Sequence, residues 1–484
     1  MLEVQAHQQL KHLLQLEEMP WEHHLTLSRL IGRSLRRKDR TRIRLSAGER
    51  DRWWLGLLVP IYLQSQGSVL VLNKRQRQRF FQVELPRLRN GGLRLACWTG
   101  STPPTGQQLW ILSPTELVTV HRLGSLKTSH QLIIPEAEHL ADHLRQAMEI
   151  SIETQDWDRL RQAHPAAGPA LLELHERLSR QLFAASSRST FELPMPPSAL
   201  VSLRDLISLL GPAPEPWPEL LSLNHAQWAS WARLDQNLLQ WTWHLQPLEP
   251  LHSLNTLLEK HPSILLETDG VLRERTTRVD ERITNSGNVV EIQLQDRIRT
   301  EPLRLFAPRR QPLPNTAIYA EHLLDQSRRL ILGRPGLTLV LLDDPGLRQK
   351  LTTELAGEFG SRVMHQNTSP EANGVICSSW SWWMNHQDQL PVLDQIIIAL
   401  LPVSSLEDPL TSARVDSYKK LGMDWFRDLL LPEALTRLVP AIAPLRQSGG
   451  RLAILDGRVR ARGWGRQVLR ALEPWSALQR LLPD

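Results

Sequence analysis

Short apolar runs alternate with helical spacings in the first 150 residues. The stretch Leu2–Leu35 repeats apolar residues at three-to-four spacing, which is typical of amphipathic helices. Short runs rich in aliphatic and β-branched residues predict buried strands at Ser68–Asn73, Gln108–Ser113 and Gln131–Ile134, with helices at Arg75–Leu88 and Glu136–Ile150. Strands that alternate with helices predict an α/β layer fold.

The region from about residue 150 to residue 260 has a different pattern. Its spacing indicates helices with no clear strand, and prolines between Pro194 and Pro218 mark loops and helix ends. Apolar residues at three-to-four spacing form a stripe that we interpret as core rather than as a ligand-binding surface: Trp228, Trp231, Leu234, Leu238, Trp241 and Leu245. Strand character returns at Ser263–Leu266.

The last third of the chain is α/β again. The Pro-rich passage Pro302–Pro314 indicates a linker between domains. Beyond it, apolar runs predict strands at Leu337–Leu342, Gln395–Leu401 and Leu452–Asp456. We therefore expect a first lobe from residues 1–150 and 263–300, a helical insertion at 151–262, a linker at 301–316 and a second lobe at 317–484.

Length and composition set the broad class. A chain of 484 residues can hold two or three domains of about 100–200 residues each. No apolar run approaches the roughly 20 residues that span a bilayer, and residues 1–10 are polar, so we expect neither a membrane span nor a signal peptide. The two cysteines, Cys97 and Cys377, are too few for a disulfide framework and fit a reducing cytoplasm. Histidine and acidic residues show no ligand spacing that predicts a metal site.

Tryptophan and arginine are the unusual components. The chain has 17 tryptophans against 7 phenylalanines and 3 tyrosines, which indicates either base-stacking surfaces or tryptophan-rich cores. Its net charge of +6 suits a partner that carries phosphates. Two basic clusters stand out, one between Arg29 and Arg44 and one formed by Lys74, Arg75, Arg77 and Arg79. Each cluster is either a nucleic-acid surface or a solvated helix face.

Several short segments occur in the order found in one branch of the superfamily-two helicases. Gln131–Leu140 is similar to a strand and acidic box that reads I-I-D-E-A-H-N-L. Ser379–Met384 is similar to F-W-E-G-x-D, and Leu455–Arg458 to a terminal L-D-x-R. The chain thus resembles the DinG-type DNA helicases related to XPD. The resemblance implies two RecA-like lobes with parallel sheets and a helical insertion in the first, ATP and Mg²⁺ as cofactors, and a nucleic-acid partner.

The phosphate loop of this family, A-G-T-G-x-G-K-[ST], aligns with residues 47–54. Glycines in such a loop let the backbone approach the phosphates, the lysine meets the β- and γ-phosphates, and the hydroxyl binds Mg²⁺. Ala47 and Gly48 match the pattern, whereas Trp53 and Trp54 replace the lysine and the hydroxyl residue. The resemblance therefore places a degenerate nucleotide-binding position at these four residues.

Other residues of the hydrolytic machinery are replaced as well. An acidic box needs an Asp to hold Mg²⁺ and a Glu to activate water. Here Pro135 replaces the Asp, so Glu136 is a vestigial catalytic residue. The closing motif Q-G-x-G-R-L-I-R aligns with Pro440–Gln447, which has no arginine at either arginine position. Two cysteines cannot supply the four ligands of the iron–sulfur cluster found in many relatives.

The expected function is that of a helicase-like nucleic-acid-binding protein whose ATP hydrolysis is lost or impaired. Single-stranded DNA is the expected partner, and the predicted contact residues are Lys74, Arg75, Arg77, Arg79 and Trp380. Two alternatives remain open: a non-catalytic interaction scaffold on a helicase fold, and an active helicase with a rearranged nucleotide site.

Overall fold

The first lobe is built on a seven-stranded parallel sheet. The computed structural model describes residues 2–15, 21–46, 51–186, 191–269, 289–294 and 302–478. The strands of this sheet are β1 (Arg40–Ser46), β2 (Ser68–Val71), β3 (Cys97–Thr99), β4 (Leu109–Leu112), β5 (Gln131–Ile134), β10 (Ser263–Asp269) and β11 (Val289–Leu294). They lie side by side in the order β11-β1-β10-β5-β2-β4-β3, and every neighbouring pair is parallel.

The central strands β2, β4 and β5 are buried along their whole length and almost wholly apolar because helices cover both faces of the sheet. On β2, Leu70 packs into the core on one face, while Val69 and Val71 pack into the core on the other. The helices of this lobe are α1 (Leu2–Leu14), α2 (His24–Arg37), α3 (Trp54–Leu63), α4 (Lys74–Arg79), α5 (Leu85–Asn90), α6 (Pro114–Arg122), α7 (Leu140–Ala147) and α12 (Pro250–Lys260). The strands predicted at Ser68–Asn73, Gln108–Ser113 and Gln131–Ile134 are confirmed.

The insertion in the first lobe is mixed α and β, not all-helical. Its strands β6 (Ile150–Ile152), β7 (Glu192–Pro194), β8 (Trp228–Asp235) and β9 (Gln240–Pro247) form an antiparallel sheet in the order β6-β9-β8-β7. Its helices are α8 (Thr154–Ala163), α9 (Gly168–Ala185), α10 (Pro197–Leu210) and α11 (Trp217–Ser222). The prediction that this region lacks strands is therefore wrong.

The error arose from a hairpin that is buried on both faces. On β8, Ala232 and Leu234 face the helices of the insertion, whereas Trp231 faces the second lobe. Because both faces are apolar, the two-residue period of a strand is lost and the spacing mimics a helix. The interpretation of the stripe as core is confirmed for Trp231, Leu234, Trp241 and Leu245, which are buried. Leu238 lies in the hairpin turn instead, where it is 66% exposed.

The second lobe repeats the plan of the first. Seven parallel strands lie in the order β14-β15-β13-β16-β17-β12-β18. Their bounds are β12 (Leu303–Phe306), β13 (Leu337–Leu341), β14 (Val363–His365), β15 (Val375–Ser378), β16 (Leu393–Ile398), β17 (Arg451–Ile454) and β18 (Trp475–Ala477). The helices are α13 (Tyr319–Ile331), α14 (Pro345–Phe359), α15 (Trp380–His386), α16 (Pro409–Lys420), α17 (Leu431–Ser448), α18 (Arg458–Ala461) and α19 (Gly465–Ala471).

Strand β12 lies within the passage predicted to be a linker. Leu303 and Leu305 are buried in the second core, and the strand pairs with both β17 and β18. A strand of four residues flanked by prolines resembles a loop in sequence, so the linker prediction is wrong for Leu303–Phe306. The prediction of two α/β lobes with parallel sheets is confirmed. Within the described ranges, no helix has the length and apolar character needed to cross a bilayer.

Candidate functional site at the carboxyl edge of the first sheet

The carboxyl ends of β1, β10 and β5 meet at one edge of the first sheet, where open α/β sheets bind their ligands. The chain that leaves β1 leads to α3 through a segment that includes Asp51. The chain that leaves β5 passes directly through Pro135 and Glu136. This edge therefore brings Asp51 and Glu136 together, each from a segment that the resemblance assigns to one of the two motifs, the phosphate loop and the acidic box. Ala47 and Gly48 lie outside the described residues.

Arg75, at the start of α4, is the central cation of this edge. Its Nη2 lies 3.0 Å from Oε1 of Glu136, and its Nη1 lies 3.7 Å from Oδ2 of Asp51. The same Nη1 lies 3.2 Å from Oδ2 of Asp388, which follows α15 in the second lobe. Burial alone would lower the pKa of Arg75, but the charges of Glu136, Asp51 and Asp388 outweigh it, so the net shift of that pKa is upward. One guanidinium thus joins the two loops and the two lobes.

Glu136 has a geometry that suits an ion pair with Arg75. Its side chain is only 7% exposed, and its backbone is left-handed, with φ of 50°. A non-glycine residue in this region is strained, and such strain persists only where surrounding contacts hold it. The buried carboxylate is therefore held against a cation that the protein itself supplies.

The two tryptophans that the motif alignment assigns to the phosphate loop, Trp53 and Trp54, are part of the core. Trp53 and Trp54 are buried, and their rings stack with centroids 4.4 Å apart. Trp54 also lies 6.2 Å from the ring of Phe80, centroid to centroid. Both indoles belong to the cluster beneath α1 and α2. Neither side chain can offer a charge or a hydroxyl to a phosphate.

The described residues at this edge do not fit ATP and Mg²⁺. Of the two carboxylates that the motif requires, the Asp and the Glu, the acidic box retains the Glu as Glu136, and Arg75 is bonded to it. Among the residues with described positions, no group of three or more His, Cys, Asp or Glu side chains could hold a metal ion. The guanidinium of Arg75 thus neutralises the carboxylate that stands at the general-base position of the helicase motif.

The arginines nearest the closing motif have structural roles. Arg446, on α17, donates hydrogen bonds to the carbonyl oxygens of Leu472, Glu473 and Pro474, the last at 3.1 Å. Arg451, on β17, is buried and donates to Gln395 and to the carbonyl of Leu330. Arginines that tie strands and helix ends within the second lobe are not directed at a ligand between the lobes.

The predicted nucleic-acid contacts on α4 are mostly engaged with carboxylates. Arg77 Nη1 lies 3.2 Å from Glu116 Oε2. Arg79 Nε lies 3.0 Å from Glu84 Oε1, and its Nη1 lies 3.4 Å from Asp51 Oδ2. Lys74 is exposed. The role of Lys74, Arg75, Arg77 and Arg79 in binding nucleic acid stays a prediction.

Trp380, the fifth predicted contact, is a buried core residue at the start of α15. Its indole N–H donates to the carbonyl of Leu400 at 3.0 Å, and its backbone N–H donates to Asp343 Oδ1 at 2.9 Å. Trp382, two residues along, is half-buried, and its ring stacks on His386 with centroids 4.6 Å apart. The first turn of this helix therefore supports the second lobe and orients the segment that carries Asp388.

The sequence patterns did not predict the charged cleft that lies between the two lobes. On the first lobe, Asp142 Oδ1 lies 2.6 Å from Arg145 Nη1, and on the second lobe Arg414 pairs with Glu433. All four residues line one cavity of about 160 Å³. Burial and the like charge of Arg414 lower the pKa of Arg145. In sequence these residues resemble ordinary solvated helix faces, and no local signal separates them from such faces.

The chain is similar to known proteins in sequence over about a quarter of its length and in fold over nearly all of it. No family model matches the chain. The ATP-dependent DNA helicase YoaA of Escherichia coli is 29% identical over 123 residues, which are 25% of this chain and 19% of that protein. YoaA of Haemophilus influenzae is 27% identical over 128 residues, which are 26% of this chain and 20% of that protein. The matched segments therefore span about a fifth of the length of these curated relatives.

Solved structures extend the likeness over nearly the whole chain. An XPD structure in its apo form superposes with a TM-score of 0.61 at 12% identity, and covers 94% of this chain and 99% of that one. An XPD helicase structure superposes with a TM-score of 0.57 at 11% identity, and covers 95% of this chain and 100% of that one. At such identities the likeness shows a shared fold.

Proposed function

Because the chain resembles the DinG- and XPD-related superfamily-two helicases in sequence and in fold, we propose that it is a helicase-type nucleic-acid-binding protein that does not hydrolyse ATP. The observation that carries this proposal is the ion pair between Arg75 and Glu136. A carboxylate held by an internal arginine cannot serve as a general base for water.

The buried indoles support the same conclusion independently. A phosphate cradle needs a lysine and a metal-binding hydroxyl that reach the ligand. Trp53 and Trp54 occupy these positions and point into the hydrophobic core. Placing a lysine or a hydroxyl residue at these positions would require repacking of the core, so a single substitution would not restore the phosphate cradle.

Single-stranded DNA is the proposed partner. The helicase relatives are named as DNA helicases, and the net charge of +6 favours a polyanion. Two lobes held together by Arg75, Asp388 and the packing of the insertion on α16 would offer one continuous surface to a strand. Such a protein would bind DNA without a nucleotide-driven cycle.

The decisive experiment measures ATP hydrolysis and DNA binding on the same purified protein. We expect no phosphate release with or without single-stranded DNA, and salt-dependent binding of a labelled oligothymidylate by fluorescence anisotropy. The variant Glu136→Gln is the matched control, because it should leave both results unchanged. Hydrolysis that DNA stimulates and that Glu136→Gln abolishes would overturn the proposal in favour of an active helicase. Absence of both hydrolysis and binding would favour an interaction scaffold.

A further inference from the structure

Two segments of the second lobe carry arginine without any acidic residue. Residues 307–314 contain two arginines, and residues 457–472 contain five, while neither segment includes an Asp or a Glu. The arginines are Arg309, Arg310, Arg458, Arg460, Arg462, Arg466 and Arg470. Such a one-sided composition is unusual in a chain with 57 basic and 51 acidic residues.

The fold brings these two segments into contact. The guanidinium of Arg460 donates to the carbonyl oxygen of Ala307, from Nη2 at 3.0 Å and from Nε at 3.2 Å. A Cβ atom at Gly457 would clash with the carbonyl oxygens of Gln311 and Pro312, so the two backbones touch. The arginines of both segments therefore share one region of the surface.

One arginine of this region is structural. Arg458 Nη2 lies 2.6 Å from Oδ2 of Asp456, and that carboxylate is fully buried. Asp456 also accepts the backbone N–H of Leu401 at 3.0 Å. This pair anchors the start of α18 to the segment that follows β16 and fixes the turn that presents the remaining arginines.

Five other arginines in this region are exposed, and among them Arg460 uses only its Nε and Nη2 in the bond to Ala307. Their side chains are exposed, and no described carboxylate lies within the 4.0 Å of an ion pair from any of them: Arg309, Arg310, Arg460, Arg462 and Arg466. We call these five residues the C-terminal arginine surface. The α4 arginines differ, because Arg75, Arg77 and Arg79 each have a carboxylate partner.

We infer that the C-terminal arginine surface binds the phosphate backbone of single-stranded nucleic acid. Guanidinium groups form charge-assisted hydrogen bonds with phosphate oxygens, often two at a time. Clustered charges without carboxylates gain most from a polyanion, since binding releases the counterions that the strand carries. Neither segment exposes a large apolar side chain for insertion into a lipid surface. This inference rests on the proposed function and adds the site at which the strand is held.

The test compares double variants of the 484-residue protein. Arg462→Gln with Arg466→Gln removes two charges from the surface, and Arg309→Gln with Arg310→Gln removes two from its other segment. The control is Arg177→Gln with Arg180→Gln, which removes two exposed charges from α9 in the insertion. Thermal unfolding by circular dichroism confirms that each variant is folded.

Binding of a labelled oligothymidylate is measured by anisotropy from 0.05 to 0.4 M salt. Each lost phosphate contact should reduce the slope of log Kd against log salt by about 0.7 for a single strand. A double variant should therefore lose about 1.4 in slope and bind about 25-fold more weakly at 0.1 M salt. The α9 control should keep the wild-type slope and Kd.

Three results would overturn the inference, and they are distinguishable. Wild-type affinity and slope in both surface variants would place the strand elsewhere and leave the proposed function intact. An equal loss in the α9 control would show only a net-charge effect. Binding of the wild-type protein to phosphatidylserine vesicles but not to DNA, lost in the surface variants, would assign the surface to a membrane and overturn the proposed function as well.

Discussion

The ion pair between Arg75 and Glu136 predicts a specific pattern of coupling energies. Glu136 is 7% exposed and Asp388 is 64% exposed, although the two carboxylates lie at nearly equal distances from the guanidinium, 3.0 and 3.2 Å. Water screens the pair with Asp388 and hardly reaches Glu136. Burial, rather than distance, should decide which pair stabilises the protein.

The magnitudes follow from the exposure of each partner. Loss of one member of a fully buried pair costs about 3–5 kcal/mol. The side chain of Arg75 is 25% exposed, so we expect about 2–3 kcal/mol for Arg75→Gln, below the fully buried range. In a double-mutant cycle, Arg75→Gln with Glu136→Gln should show a coupling of about 2 kcal/mol, and Arg75→Gln with Asp388→Asn less than about 1 kcal/mol.

Urea unfolding, followed by tryptophan fluorescence and by circular dichroism, measures both cycles. A common m-value across the variants is the control that each unfolds from a similar state. A coupling with Glu136 below about 0.5 kcal/mol would refute the argument that this carboxylate is held by Arg75. A coupling with Asp388 as large as that with Glu136 would show that burial does not set the energy of these pairs.

Two further predictions concern the insertion. Trp231 of β8 is buried against α16, so Trp231→Ala should destabilise the protein by about 3–5 kcal/mol and speed amide exchange in α16. The control is Trp217→Ala, in the core of the insertion itself. Equal amide exchange in α16 for both variants would contradict the packing of the insertion on α16 through Trp231. The hydrogen bond between Glu149 and His244, at 2.5 Å, lowers the pKa of Glu149 in the folded protein. The stability that the ionised Glu149 adds to the fold is therefore present above about pH 4.5 and is lost as the pH falls through the lowered pKa. Thermal melts of Glu149→Gln should therefore depend less on pH between about 5 and 3 than those of the wild type, and parallel curves would contradict this assignment.

The parallel sheets were predictable because their strands are buried on both faces. Such strands appear as continuous apolar runs, as at Ser68–Val71 and Leu337–Leu341. The hairpin of β8 and β9 has the same property within an antiparallel sheet, where alternation is expected, and so its spacing indicated a helix. Strand β12 was missed because its pairing partners come from the distant C-terminal segment.

At the candidate site, the sequence predicted which helicase motif residues are missing, but it did not predict the ion pairs that Arg75 forms there. The absence of a lysine at Trp53 and of an aspartate at Pro135 is visible in the sequence once the motifs are aligned. The partner of Glu136 is 61 residues away, and Asp388 is 313 residues from Arg75. Contacts at such separations depend on the order of strands in the sheet and on the packing of the lobes. No local pattern encodes them.

The same reasoning separates the arginines of this chain into two classes. In the first basic cluster, Arg42 lies 2.8 Å from Glu267, which is 225 residues away, and both side chains are buried. A carboxylate brought by the fold thus neutralises a charge that the sequence presents as part of a basic run. Around Arg462 and Arg466, no described carboxylate is brought so close. Substitution of Arg42 should therefore change the free energy of unfolding, whereas substitution of Arg462 should change the affinity for a polyanion, and each should leave the other quantity nearly unaltered.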